Sequence, residues 1–540
     1  MSNPFLIRDL YQHAQDTSDL QRAYFANALF KTLGGVAIIS QCVPRVPFTE
    51  LQFLLSPYPM VEFLPVLVGY LSDSGFFRYD WESQHIFMKP LMQKTILDYI
   101  PKGDTRDTHG FRLQLYKAGK EGRPFPIYNE YPFIERYLPF TQYGLTEHMA
   151  TYHFLMHANY LKKEYRVFSD LKHHFLEMEY ELVNGDYDHV ARELTLIDDE
   201  YLIPWRYLEN AEMWHKRVQG KIENANTRAS QEGHLGFVYK AMGKIHDAIR
   251  QYEIATAINW DDGNVDGVNV WIGNMGLAYG NIGQIDTAIA YIQKALICAE
   301  SISNKIRRND ELSRNMNNLC VQYRKLADYP TAIAYIEQAI ALTQEFGGDN
   351  EISWRLGTLG STYALMGEYE KAKPILIEAV EAWLNTKFLV KSHLIALARL
   401  LWLMGDNEGA HQYSRIEERY DADDMSTMWA VNGCIYLSMN NYQKAQVGFE
   451  QTLEWSSIYI AHTHELYREH YARGLAYTGL WCISGDDEHL IHAKNAYQTA
   501  RTICNAKGVL SEHRQTLKHL LASAPNRDGT PLLALFDETI

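Results

Sequence analysis

At 540 residues the chain exceeds one ordinary domain, unless it builds a repeat array, which grows linearly without one swelling core. Apolar residues make up 46% and charged residues 22%, the ordinary balance of a soluble protein. The formal net charge of −15 argues against direct binding of nucleic acid or anionic lipid, since both repel an acidic surface that lacks a local basic patch.

The N-terminal MSNPFLIRDLYQHAQ has no apolar h-region, and no run of eighteen apolar residues occurs. Neither a signal peptide nor a membrane span is expected. Six scattered cysteines (Cys42, Cys298, Cys320, Cys434, Cys482, Cys504) form no CxxC pair. They favour reduced, packed thiols and a cytoplasmic location over a disulfide framework.

Residues 1–103 read as a winged-helix-like domain. Asp19 to Leu33 is an amphipathic helix, Pro44 and Pro47 mark a turn, and Phe48–Leu55 is a short helix. Met60–Leu71 is a strongly apolar helix. Phe76–Tyr79 and His85–Met88 are two short strands before a helix at Pro90–Ile100. The helix in the recognition position, MVEFLPVLVGYLSD, carries Glu62 and no Lys, Arg, Asn or Gln. Base reading needs such donors, so this helix is expected to be buried or to face protein. Residues 104–140 mix Gly, Pro and charge and read as a linker. Residues 141–228 read as a helical connector with a degenerate repeat turned at Gly185.

Between 229 and 420 one hairpin pattern returns. Its first copy, HLGFVYKAMGKIHDAIRQYEIA, places Gly236, Tyr239, Gly243, Ala248, Tyr252 and Ala255. The second has Gly276, Tyr279, Gly283, Ala288 and Ala295, and the third Cys320, Tyr323, Ala327, Ala332 and Ala339. The fourth has Gly360, Tyr363, Gly367, Ala372 and Ala379, and the fifth keeps Gly405 and Ala410. The alanines at 248, 288, 332, 372 and 410 recur at steps of 40, 44, 40 and 38. Small residues let two antiparallel helices approach, and a glycine at the turn ends the first helix at low cost. This is the pattern of a tetratricopeptide repeat, lengthened beyond its common ~34 residues. The expected fold is mostly α, a right-handed α-solenoid behind a small winged-helix-like domain. Residues 421–524 read as degenerate repeats with capping helices, and 525–540 as a tail.

The stretch LTLIDDEYLIPWRYLENAEMWHKRVQGKI, followed at once by such repeats, resembles the sensor region of bacterial STAND-class signalling proteins. In that family an NTPase core precedes a winged helix, a helical connector and the repeats. No GxxxxGK[ST] occurs here, and the residues before the expected winged helix are too few for that core. The resemblance therefore implies a sensor or adaptor half working with a separate effector chain, in bacterial defence or stress signalling.

Catalytic patterns are weak. His464-Glu465 and His470 lie six residues apart, about 600° along a helix, so their imidazoles diverge. His153 and His157 share a helix face near His148 but lack a clear further ligand. Cys320 occupies a small-residue slot, which packing explains. No cofactor, metal or catalytic residue is expected. The chain reads as a non-enzymatic protein–protein interaction scaffold whose groove binds a protein or peptide. The alternatives are a winged-helix transcription regulator, or a regulatory subunit of a protease or NTPase complex. Counting from the packed positions places Asn274, Asn281, Asn317, Gln322 and Arg355 toward the groove.

Overall fold

The structure, a computed structural model, describes residues 20–40, 45–55, 62–97, short pieces between 168 and 182, 185–346, 349–384, 391–414, 425–524 and 526–537. The expected linker at 104–140, the connector residues before 168, and His148, His153 and His157 lie outside the described residues. The chain divides into two compact units, Met1–Val190 and Ala191–Ile540.

In the first unit the order is α1 (Leu20–Ser40), β1 (Val46–Pro47), α2 (Phe48–Leu55), α3 (Leu64–Asp73), β2 (Arg78–Asp80), β3 (His85–Phe87) and α4 (Pro90–Leu97). The strands form one antiparallel sheet in the order β1-β3-β2, with Val46 and Tyr79 both opposite Ile86. β1 stands at Pro47, in place of the turn expected there, because two residues are too few to show a period of two; Pro44 lies outside the described residues. Helix α3 buries Leu64, Leu67, Val68 and Leu71, at the three- and four-residue steps of one face. Its other side leaves Phe63, Val66 and Tyr70 exposed. Gly75 (φ +78°) ends it, with the Phe76 N–H donating back to the Leu71 carbonyl at 3.1 Å.

Helix α5 (Tyr187–Ile197) runs across the division into one π-helical turn, Asp198–Leu202, and then α6 (Leu208–Val218). Seven hairpins follow: α7 and α8 (Ala225–Ala241, Ile245–Asp261), α9 and α10 (Val265–Asn281, Ile285–Glu300), α11 and α12 (Lys305–Lys325, Tyr329–Phe346), α13 and α14 (Asp349–Leu365, Tyr369–Leu384), α15 and α16 (Lys391–Leu403, Asn407–Ser414), α17 and α18 (Met425–Ser438, Tyr442–His462), α19 and α20 (Tyr467–Ser484, Asp487–Ile503). Each helix packs on its neighbours in sequence, which makes a superhelix with a continuous core.

The same close approach recurs in hairpin after hairpin. A Cβ on Gly236 would lie 2.5 Å from the Tyr252 ring, one on Gly276 2.6 Å from Ile292, and one on Gly360 2.8 Å from Leu376. Gly433 and Gly474 sit as tightly against Phe449 and Tyr497. Ala248, Ala288, Ala332, Ala372 and Ala410 are fully buried. Tyr239 is buried, while Tyr279, Tyr323 and Tyr363 are half-buried. Tyr279 stacks on Tyr291 and Tyr323 on Tyr335 within their own hairpins, with ring centroids 5.1 and 5.6 Å apart.

The superhelix also closes on itself. The first hairpin's turn meets the end of α18, where the Ile245 N–H donates to Thr463 Oγ1 at 3.1 Å and Gly243 packs on Tyr459. The second hairpin's turn meets the end of α20, with Gly283 against the Ile503 carbonyl. The third meets α21 (Lys507–Ala522), whose Gly508 lies on the Arg324 carbonyl. Within the stretch 525–540, expected as a tail, the described residues 526–537 fold back as a short helix, α22 (Thr530–Leu533), and a 3₁₀ turn. Leu532 and Phe536 are buried, and Phe536 lies edge-on to Tyr497 at 5.3 Å. The exposed apolar ends of α19 and α20 need such a cover, as the last unit of any stack does.

Candidate functional site

The first helix of each hairpin lines the inner face. Two adjoining cavities, of about 400 and 760 Å³, run along it and share Leu277, Asn317, Asn318 and Trp354. The larger lies between α9, α11 and α13. The smaller continues past α15 to α19 and α21, so its far wall comes from the next turn of the superhelix.

The floor of the larger cavity is a buried polar network. Asn315 Nδ2 donates to Asn269 Oδ1 at 2.8 Å, and Asn269 Nδ2 donates to Glu311 Oε2 at 2.8 Å. Glu311, buried on α11, is paired with Arg307 at 3.0 Å and Arg314 at 3.3 Å. A buried carboxylate needs such partners to stay charged. Two residues along the helix, Ser313 Oγ receives the Arg355 Nε–H at 2.8 Å and sits 2.7 Å from Thr343 Oγ1.

Within this frame the five residues read from the sequence separate. Asn274 and Asn281 are half-buried and line the larger and smaller cavities respectively. The Asn274 amide donates to the Val270 carbonyl at 2.9 Å. Asn317 lines both cavities, and its buried Oδ1 accepts no hydrogen bond. Gln322 requires a correction. It is 1% exposed, lies outside both cavities, and packs against Gly280 of α9 while accepting from Lys325 Nζ at 3.1 Å. Stepping by helical turns from a packed residue drifts around the axis, and five residues beyond Asn317 the face is no longer the inner one. Arg355 touches the larger cavity but is a strut within it. Besides Ser313 it donates to the Glu351 carbonyl at 3.1 Å, and burial pushes its guanidinium down from its ordinary pKa.

The smaller cavity holds charge that sequence reasoning missed. Its wall carries Lys240, Arg324, Arg399 and Arg468, against the carboxylates of Glu469 and Glu512. Arg399 is ion-paired with Glu512 and also donates to its backbone carbonyl at 3.0 Å. Burial pushes the Glu512 carboxyl up, but Arg399, His513, Arg324 and Arg468 outweigh it and hold it down at about 2. Burial lowers the Lys325 ammonium to about 7, helped by Arg468 and Arg324. His393, lining the same cavity, is lowered by burial to about 4 and is neutral at pH 7. These groups come from α7, α11, α15, α19 and α21, which no local pattern connects.

His470 Nε2 lies 2.8 Å from the His464 carbonyl, and Glu465 lies 3.5 Å from His246. Among the described residues no three His, Cys, Asp or Glu side chains gather as metal ligands. Cys320 is buried, and burial raises its thiol above the usual value. No helix among the described residues is long and apolar enough to cross a membrane.

Comparison with known proteins agrees with this geometry at the level of the repeat. Tetratricopeptide repeat models match residues 311–385 and 272–296. The hairpin array is therefore a superhelix of the tetratricopeptide-repeat kind. Among solved structures, the chain is similar to a Signal Transduction ATPase with Numerous Domains (STAND) protein with a tetratricopeptide repeat sensor from Pyrococcus horikoshii. That match has 13% identity, covers 90% of this chain and 66% of that one, and has a TM-score of 0.41. It is also similar to the Rap conjugation gene regulator of the plasmid pLS20 in complex with the Phr* peptide, at 14% identity, 74% and 97% coverage and a TM-score of 0.40. A tetratricopeptide repeat protein from Parabacteroides merdae matches at 15% identity, 52% and 99% coverage and a TM-score of 0.32. No curated protein matches the chain in sequence.

Proposed function

We propose that this chain is a non-enzymatic interaction scaffold, an adaptor or sensor subunit whose inner channel takes an extended peptide segment of a protein partner. The observation that carries this reading is Asn317. Its carboxamide oxygen is buried, accepts no hydrogen bond, and stands where the two cavities meet. A buried polar atom without a partner is costly, and a ligand that supplies the partner recovers that cost. A carboxamide both donates and accepts, as a peptide bond does, and Asn274, Asn281 and Asn318 repeat it along the channel. Trp354, shared by both cavities, offers a rigid apolar contact beside them.

The first unit supports a winged-helix-like reading through its element order and its β1-β3-β2 sheet. Phe63, Val66 and Tyr70 on the outer side of α3 favour a protein partner there over DNA, because apolar side chains read neither phosphates nor base edges. Signalling beside a separate effector chain rests on the sequence resemblance to STAND-class sensors.

The test is selection of a phage-displayed dodecapeptide library on the full-length protein, followed by fluorescence anisotropy with the enriched peptides. Asn317→Ala should weaken their binding about tenfold, the value of one well-made buried hydrogen bond, at an unchanged melting temperature. Equal affinity in wild type and variant would move the binding surface out of the channel.

A further inference from the structure

We infer that the segment bound in this channel is acidic, and that its carboxylate is held between two turns of the superhelix by Arg324 of α11 and Arg468 of α19. The inference rests on the peptide-scaffold reading and names the chemistry of its ligand. Four cations, Lys240, Arg324, Arg399 and Arg468, face two carboxylates, Glu469 and Glu512, so the cavity keeps an excess of two positive charges. The molecule as a whole has a net charge of −15. A local positive field inside an acidic protein repels basic segments at the site and leaves the outer surface repelling acidic ones, so it selects by position.

Glu512 shows that a carboxylate fits. It enters the cluster from α21, pairs with Arg399, and is held down at about 2 with Arg324 and Arg468 contributing. One carboxylate uses Arg399, while Arg324 forms no ion pair among the described residues and is half-buried. A guanidinium presents a planar fork of donors that matches a carboxylate in bidentate geometry, and partial burial strengthens that pairing. Asn281, Asn317 and Asn318 line the same cavity and would hold the adjoining backbone.

Arg468 lies on the later turn and Arg324 on the earlier one, so the site exists only where the superhelix has closed. An acidic side chain placed between them ties α11 to α19.

The experiment is the dodecapeptide selection carried out in parallel on wild type, Arg324→Gln and Arg324→Lys. Arg324 has no ion-pair partner among the described residues to orphan, so both variants should fold. Arg324→Lys should melt as wild type does, and Arg324→Gln slightly lower, because it removes one of the charges that hold Glu512 down. The wild-type pool should be enriched in Asp and Glu over the input library. Arg324→Gln should lose that bias and bind the wild-type acidic peptides about tenfold more weakly, and Arg324→Lys should keep the bias. An enriched wild-type pool without acidic bias would overturn the inference and leave the scaffold reading standing. Acidic bias that persists in Arg324→Gln would place the carboxylate elsewhere and overturn it as well. Citrate or inorganic phosphate binding as tightly as the acidic peptides would make this a small-anion site. No enrichment at all would overturn both readings.

Discussion

Glu512 shows how a single ionisable group can report on the closed channel. A carboxylate held near 2, below its ordinary 4.5, adds stability that is fully present above pH 4.5 and is lost as pH falls towards 2. Its principal partner is Arg399, reached from a different helix. Replacing Arg399 with Gln should therefore lower the melting temperature at pH 7 and flatten its decline between pH 4.5 and 2, as measured by circular dichroism. Parallel acid limbs in wild type and variant would mean that the pair contributes nothing to the folded state. Arg355 differs in kind. Its hydrogen bonds to Ser313 and the Glu351 carbonyl make it a support for the channel wall, so reversing its charge would disturb folding and binding together.

Among the elements, the hairpin turns divide by what surrounds them. Gly283 and Gly367 both have φ near +80°, where any L side chain is strained by about 1–2 kcal/mol. Nothing lies within 4 Å of a Cβ built on Gly367, whereas one on Gly283 would sit 2.7 Å from the Ile503 carbonyl oxygen. Gly283→Ala should thus cost the strain plus roughly 1–3 kcal/mol from backbone displacement, and Gly367→Ala the strain alone. Chemical denaturation of the two variants checks this, and equal losses would argue that the turn does not dock on α20. The same contrast explains what could be read in advance. The pairing of Gly236 with Tyr252 or Gly276 with Ile292 is local, so its residue types recur at a fixed spacing. The docking of Gly283 on Ile503 joins distant segments that share no pattern, as does the joining of Arg324 to Arg468 in one cavity. Asn274, Asn281 and Asn317 were legible because they lie on the inner side of a helix whose packed side the repeat defines. Gln322 was not, since turn counting leaves the angular position loose by its length.

At the scale of the whole second unit, closure changes what kind of object a solenoid is. An open repeat array has only nearest-neighbour contacts, so damage at one end leaves the other end nearly as stable as before. Here the turns of the first three hairpins rest on α18, α20 and α21, so the first three hairpins share interfaces with the sixth, the seventh and the helix after it. Gly508 is the tightest of these contacts, with a Cβ there falling 2.0 Å from the Arg324 carbonyl oxygen and 2.7 Å from that of Lys325. Both are backbone atoms, and a side chain at 508 must lift the start of α21 away from α11. Gly508→Val should therefore raise amide exchange both in α21 and in α9 and α11, which lie far from the substitution in sequence. Local opening follows the least stable interface, so hydrogen exchange followed by mass spectrometry resolves the two responses. If exchange rises in α21 alone, the end contacts are incidental and the array behaves as an open stack. A coordinated rise in α9 and α11 would make closure a structural bond of the superhelix, with the cationic cavity as its inner lining.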